Sequence, residues 1–252
     1  MTTFLDFDSS ALPRLLNRLT AGADQPLFSA AEWTVRLGDS PEAQAFSAQL
    51  EREWVPLTIP GALCQQMMDF ARDYLTPNDG WPHLWAHILR VTGTALAIAP
   101  EAGVEPDHAF MLGIFHDLGK LDEMHGGEMH ELVGADLLRA QLNDHYSVQE
   151  VALMANAIAK KAGTRNPYMQ LLFDADKLDK IGATGIARRV SISAQSDHFV
   201  VPLLRVKQDA ASFPDMHFPA SQSLATLKLD YTRQFFERLG FPSSPDGISQ
   251  AG

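Results

Sequence analysis

His116-Asp117-Leu118-Gly119-Lys120, at the end of the apolar run 109–115, is the stretch that decides the fold. It places an imidazole, a carboxylate and an ammonium within about one helical turn. The first two are ligands for a divalent ion, and a phosphate oxygen resting on such an ion would be met by the lysine. Five residues carry that reading only if further ligands stand elsewhere in the chain.

The rest of the chain narrows what such a site could serve. It has 252 residues, enough for one large domain or a domain with an appendage. With 46% apolar and 20% charged residues it has the composition of a folded globular protein. Its 31 acidic and 20 basic residues leave a net charge of −11, which disfavours an extended nucleic-acid surface. A small anionic substrate is not excluded, because the local field outweighs net charge. Cys64 is the only cysteine, so there is neither an internal disulfide nor a thiolate cluster for zinc. The acidic start, MTTFLDFDSS, lacks the pattern of a signal peptide, and the apolar stretch 91–99 is too short to span a bilayer. The expected setting is cytoplasmic, with no membrane partner.

Working outward from the pentapeptide, apolar spacing is helical. Residues 87–99 form one pattern, closed by Pro100, and Asp107 stands as an N-cap before 109–115. Further patterns cover 132–138, 151–159, 169–181 and 224–239, the last stopped by Gly240 and Pro242. Residues 199–206 read as a weak strand or equally as a helix. The fold class is all-α. Residues 1–60, interrupted by Pro13, Pro26, Pro41, Pro56 and Pro60, are expected to be an N-terminal helical extension. The main domain is expected over 61–242 and a frayed tail over 243–252. Residues 122–127 and 211–223 read as connections.

Further ligand types stand elsewhere in the chain. Seven of the nine histidines lie between positions 83 and 145. His83 and His87 share a helix face, and His130 opens the helix after the pentapeptide. His116 and Asp117 are neighbours, which converge on one point only with special packing. Downstream, Asp174, Asp176 and Asp179 interrupt an apolar helix, where carboxylates are costly unless paired or bound to a metal.

His87-Ile88-Leu89-Arg90-Val91, the pentapeptide, and Asp174-Ala175-Asp176-Lys177-Leu178-Asp179, in that order, resemble the motifs of the HD-domain superfamily of metal-dependent phosphohydrolases. The similarity spans residues 65–240 and includes the glycine-containing continuation 181–188. It implies a compact HD-like bundle in which His87, His116, Asp117 and Asp176 bind one divalent cation, among Mn²⁺, Fe²⁺, Co²⁺, Ni²⁺ and Mg²⁺. Asp117 would also accept a proton. Lys120 would hold a substrate phosphate, with Gly119 leaving room for its approach, and Arg90 and Lys177 would be further anion contacts. His130, in His130-Glu131-Leu132-Val133-Gly134-Ala135, resembles a ligand that some members use for a second metal. Those members supply another histidine where this chain has Lys160-Lys161, so a single ion is expected. A second ion stays open, and His130, Asp179 and His83 are its candidate ligands or supports.

The function this implies is hydrolysis of a phosphomonoester or nucleotide by metal-activated water. A dinuclear iron oxygenase of related fold and a non-catalytic metal- and nucleotide-binding sensor are the alternatives. The implied partner is a small phosphorylated substrate, foremost a nucleotide. Trp33, Trp54, Phe28 and Phe46 leave residues 1–60 able to cover a pocket, pack on the main domain or form a homodimer contact.

Overall fold

The computed structural model describes residues 41–77, 81–193 and 200–238. Among the described residues every regular element is a helix: α1 (Pro41–Glu53), α2 (Ala62–Leu75), α3 (Trp81–Ala102), α4 (Pro106–Phe115), α5 (Lys120–Met124), α6 (His130–Leu142), α7 (Val148–Ile158), α8 (Pro167–Leu178), α9 (Gly182–Ser193), α10 (Val200–Ala211) and α11 (Pro219–Arg238). The all-α expectation holds, and 199–206 resolves as helix from Val200 onward. None of these helices is long and apolar enough to cross a membrane. The chain divides into two compact units. The expected frayed tail and residues 1–40 lie outside the described residues.

The larger unit comprises Val55–Lys177 and Met216–Gln222. Its centre is α4, in which every residue from His108 to Phe115 is buried. A helix apolar on all sides is stable only when other helices surround it. The buried side chains Met67, Ala71 and Leu75 of α2, Ile88, Val91 and Ala95 of α3, Leu138 of α6 and Met154 and Ile158 of α7 belong to the same core. Each large side chain among them contributes about 1.5–3 kcal/mol through burial.

Two glycines set the helix spacing around the pentapeptide. A Cβ on Gly113 of α4 would lie 2.5 Å from Thr92 Cα of α3. A Cβ on Gly134 of α6 would lie 2.4 Å from the Phe115 carbonyl oxygen. The backbones of α3 and α6 therefore approach α4 more closely than any side chain permits, one on each side of the segment that ends at His116.

Some local expectations are corrected. Pro100 lies inside α3 rather than closing it, and the helix runs on to Ala102. The N-cap of α4 is Glu105, with Pro106 next. A proline in the first turn forfeits no hydrogen bond and presets φ, so the helix starts there and Asp107 falls inside its first turn. The Asp107 carboxylate instead accepts from Tyr146 Oη at 2.7 Å.

The smaller unit comprises, among described residues, 41–54, Leu178–Asp215 and 223–238. Ile186, Val206 and Phe236 form its buried cluster, with Phe46, Tyr231 and Phe235 packed against it. Part of the stretch expected as an extension, α1, thus shares a unit with α9 and α10. Its last residue, Glu53, is buried and accepts hydrogen bonds from Ala183 N at 2.8 Å and Thr184 N at 3.0 Å at the start of α9.

Candidate metal centre

The helix that delivers His116 stops just before it. α4 ends at Phe115, and residues 116–119 form a turn closed by Lys120 N–H donating to the Asp117 carbonyl at 3.0 Å. On a continuous helix His116 and Asp117 would diverge by about 100°. The turn removes that divergence, so two adjacent residues face one point. His87 reaches the same point from α3, and Asp176 of α8 stands beside His87.

The donor atoms of His87, His116 and Asp117 are mutually close, and Asp176 adjoins them at His87. His87 Nε2 lies 3.4 Å from His116 Nε2, 3.4 Å from Asp117 Oδ2 and 3.5 Å from Asp176 Oδ1, and His116 Nε2 lies 3.8 Å from Asp117 Oδ2. These separations exceed good hydrogen bonds. They lie at or slightly above the roughly 3.0–3.4 Å that separates neighbouring ligands about 2.1 Å from a shared metal, so a small inward shift would close the donors on one ion. His116 Nδ1–H donates to the Gly113 carbonyl at 2.7 Å, which leaves the Nε2 lone pair directed at the centre. Two imidazoles and two carboxylates fit a divalent first-row ion or Mg²⁺.

Electrostatics favours the ligand-ready protonation state. Burial lowers the His116 imidazole below its ordinary value of 6.5; Asp117 opposes the shift and His87 adds to it. Burial pushes the Asp117 carboxyl up, but His116, His87 and His130 outweigh it and hold the group well below the ordinary carboxylate range. A histidine with a lowered folded-state value takes up its proton only at more acidic pH, so the neutral, ion-binding form persists down to and somewhat below 6.5. Dialysis against buffered Mn²⁺ should therefore give constant ion content from pH 8 to about 6.5 and a fall only at lower pH. Loss of the ion already between pH 8 and 7 would contradict this assignment.

The fold is shared with known proteins. The family model described as HD domain matches residues 84–181. This stretch is therefore similar to the HD domain. Among solved structures, the chain resembles a predicted HD superfamily hydrolase from an uncultured Thermotogales bacterium, with 22% identity over 69% of this chain and 90% of that one and a TM-score of 0.53. An HD-superfamily hydrolase from Bacillus thuringiensis shares 24% identity over 70% and 94%, with a TM-score of 0.53. Bacillus subtilis YpgQ in complex with ADP shares 18% identity over 75% and 96%, with a TM-score of 0.55. These likenesses are of fold. No curated protein matches the chain.

Within the matched stretch, His130 stands beside the centre. Its Nε2 lies 3.4 Å from Asp117 Oδ1, and its Nδ1 lies 2.7 Å from Glu123 Oε2 and 3.2 Å from Glu131 Oε2. Glu123, His130 and Glu131 thus form a second group of donor atoms, which the sequence analysis did not single out apart from His130. The signal was present: Glu123 lies three residues after the pentapeptide, and Glu131 directly follows His130. Lys160, in the stretch that lacks a histidine, places its ammonium on Glu131 Oε1.

Lys120 opens α5, and its Nζ lies 2.6 Å from Glu123 Oε2. Lys120 does not continue α4, because the turn 116–119 intervenes. Gly119 also serves packing: a Cβ there would lie 2.5 Å from Val133 Cβ and 3.0 Å from the His130 carbonyl, so the missing side chain admits α6.

Of the remaining candidates, Arg90 is half-buried on α3, and Lys177 Nζ sits 5.3 Å over the Phe173 ring. Asp179 is buried, and its Oδ2 lies 3.6 Å from Arg188 Nη1 in the smaller unit. The side chain of His83 lies outside the described residues. Asp174, fully buried, accepts from His217 Nδ1 at 2.7 Å and His217 N at 2.8 Å, fastening the segment before α11 to α8. His217 was unreadable as a partner because the contact spans 43 residues.

Proposed function

We propose that the HD domain is a divalent-metal-dependent phosphohydrolase acting on a phosphomonoester or a nucleotide. The observation that carries this reading is the convergence of His87 Nε2, His116 Nε2 and Asp117 Oδ2, at separations longer than good hydrogen bonds, with Asp176 Oδ1 3.5 Å from His87 Nε2. The ion, when bound, supplies positive charge that polarises a phosphoryl group and makes water more acidic.

The chain's own residues supply the rest. His87 and His116 enter as neutral donors, and the buried wall of α4 keeps bulk water from their rear. Asp117 Oδ1, turned away from the two imidazoles toward His130, can take the proton of an attacking water. The water oxygen bonds to phosphorus, the ester P–O bond breaks, and the leaving oxygen carries away the bond's electron pair and is then protonated. Lys120, at the edge of the centre, is the cation available to phosphate charge. The nucleotide reading draws support from Bacillus subtilis YpgQ, whose structure contains ADP.

A turnover screen tests the proposal. Nucleotides and simple phosphoesters are offered to the metal-stripped chain with Mn²⁺, Co²⁺, Ni²⁺ or Mg²⁺ added separately. Release of phosphate or pyrophosphate with at least one ion, abolished by chelator, is the expected result. Stoichiometric ion and nucleotide binding without turnover over hours would replace hydrolysis with sensing. Two irons per chain with oxygen uptake would indicate the oxygenase.

A further inference from the structure

Glu123 is held as a bound phosphate oxygen would be held. Its Oε2 accepts from Lys120 Nζ at 2.6 Å and from His130 Nδ1–H at 2.7 Å. The two donors lie 3.2 Å apart and come from different helices, α5 and α6. Short bonds from two basic side chains onto one anionic oxygen are the usual means of gripping phosphate. The grip adjoins the metal centre, because the other face of the same imidazole puts Nε2 3.4 Å from Asp117 Oδ1.

The two neighbouring carboxylates differ in freedom. The Glu131 side chain is only 11% exposed and is anchored by Lys160, and its Oε2 is buried without a hydrogen bond 3.2 Å from His130 Nδ1. Glu131 cannot leave. The Glu123 side chain is 33% exposed and stands on a five-residue helix, so it can rotate into solvent without opening the core. Lys120, and after it His130, lower the Glu123 carboxyl below its ordinary value, so the movable group is an anion.

We propose that Lys120 Nζ and His130 Nδ1 form a phosphate-binding subsite beside the metal centre, and that Glu123 occupies it until a phosphate group displaces it. This rests on the phosphohydrolase reading and extends it. Glu123 neutralises two basic groups while the site is free and competes with the ligand when it arrives. The phosphate group is either the one under attack or a neighbour linked to it by an anhydride.

The test is calorimetric titration of the Mn²⁺-loaded chain with inorganic phosphate and, separately, with pyrophosphate. Glu123→Gln and Glu123→Ala should bind at least one of them about tenfold more tightly than the unaltered chain, the effect of removing one charge-assisted competitor. Adding Lys120→Met to Glu123→Ala should erase the gain. Gain for pyrophosphate alone assigns the subsite to a second phosphate; gain for both assigns it to a single phosphate group. Equal or weaker binding in both Glu123 variants would overturn the subsite, since Glu123 would then support the ligand or ignore it. Repeating the titration on metal-stripped protein separates the two readings. A gain that survives there, in a chain showing no turnover with any ion, keeps the subsite and sinks the hydrolase.

Discussion

Asp117→Ala should release the ion and reduce phosphoester turnover by more than about 100-fold, beyond the cost of losing an outer hydrogen-bond partner. The side chain offers both oxygens to the site: Oδ2 to the two imidazoles and Oδ1 to His130. Its loss removes a ligand, a proton acceptor and the charge nearest His116. Asp117→Asn is the sharper variant. The amide keeps the shape but offers one oxygen instead of two and no negative charge, so ion content should still fall. Metal analysis after gel filtration and a single-turnover assay read the two effects separately. Full turnover in either variant would remove Asp117 from the mechanism. Retained ion with lost turnover would restrict its role to the proton.

Glu53→Ala should be among the most destabilising single changes in the described part of the chain, costing about 3–5 kcal/mol, the range for breaking a buried charge pair from one side. The Glu53 carboxylate accepts from Ala183 N, Thr184 N, Thr184 Oγ1 and Gln49 Nε2 and pairs with Lys228 Nζ at 3.2 Å. Lys228 is itself only 3% exposed, so without Glu53 it becomes a buried cation lacking this counter-charge. The carboxylate also sits at the positive end of the α9 dipole. Gly182, at φ 77°, passes so close that a Cβ would lie 2.5 Å from both Glu53 oxygens, so the backbone is shaped around the carboxylate. Urea unfolding monitored by circular dichroism measures the loss as a lower midpoint at constant slope. A shift worth less than about 1 kcal/mol would mean that Lys228 regains water or another anion when Glu53 is removed.

The two predictions differ in how far the sequence anticipates them. Asp117 stands out because chemistry-bearing types cluster within five residues and because His87 and Asp176 flank the cluster at spacings similar to a known family. Glu53 does not stand out. It lies in a stretch broken by prolines, and its partners are 130, 131 and 175 residues away. Contacts over such separations leave no periodic trace, because only packing brings the groups together. Glu123 is an intermediate case. Its spacing from Lys120 on α5 is legible as an i,i+3 pair, whereas its bond to His130 depends on the loop between α5 and α6.

Sequence alone determined that this chain is helical, because apolar residues recur at helical spacing over most of its length, and it identified the imidazoles and carboxylates from which a metal centre would be built. Ligand type is a property of the residue itself and survives any arrangement of the chain. Only the tertiary structure decided how those groups are used. The turn at 116–119 aims two neighbours at one point, and Gly113 and Gly134 let α3 and α6 close on α4. The pentapeptide's lysine rests on Glu123, and its glycine admits α6. These outcomes depend on separations of a few tenths of an ångström between backbones distant in sequence, which the order of residue types does not encode locally.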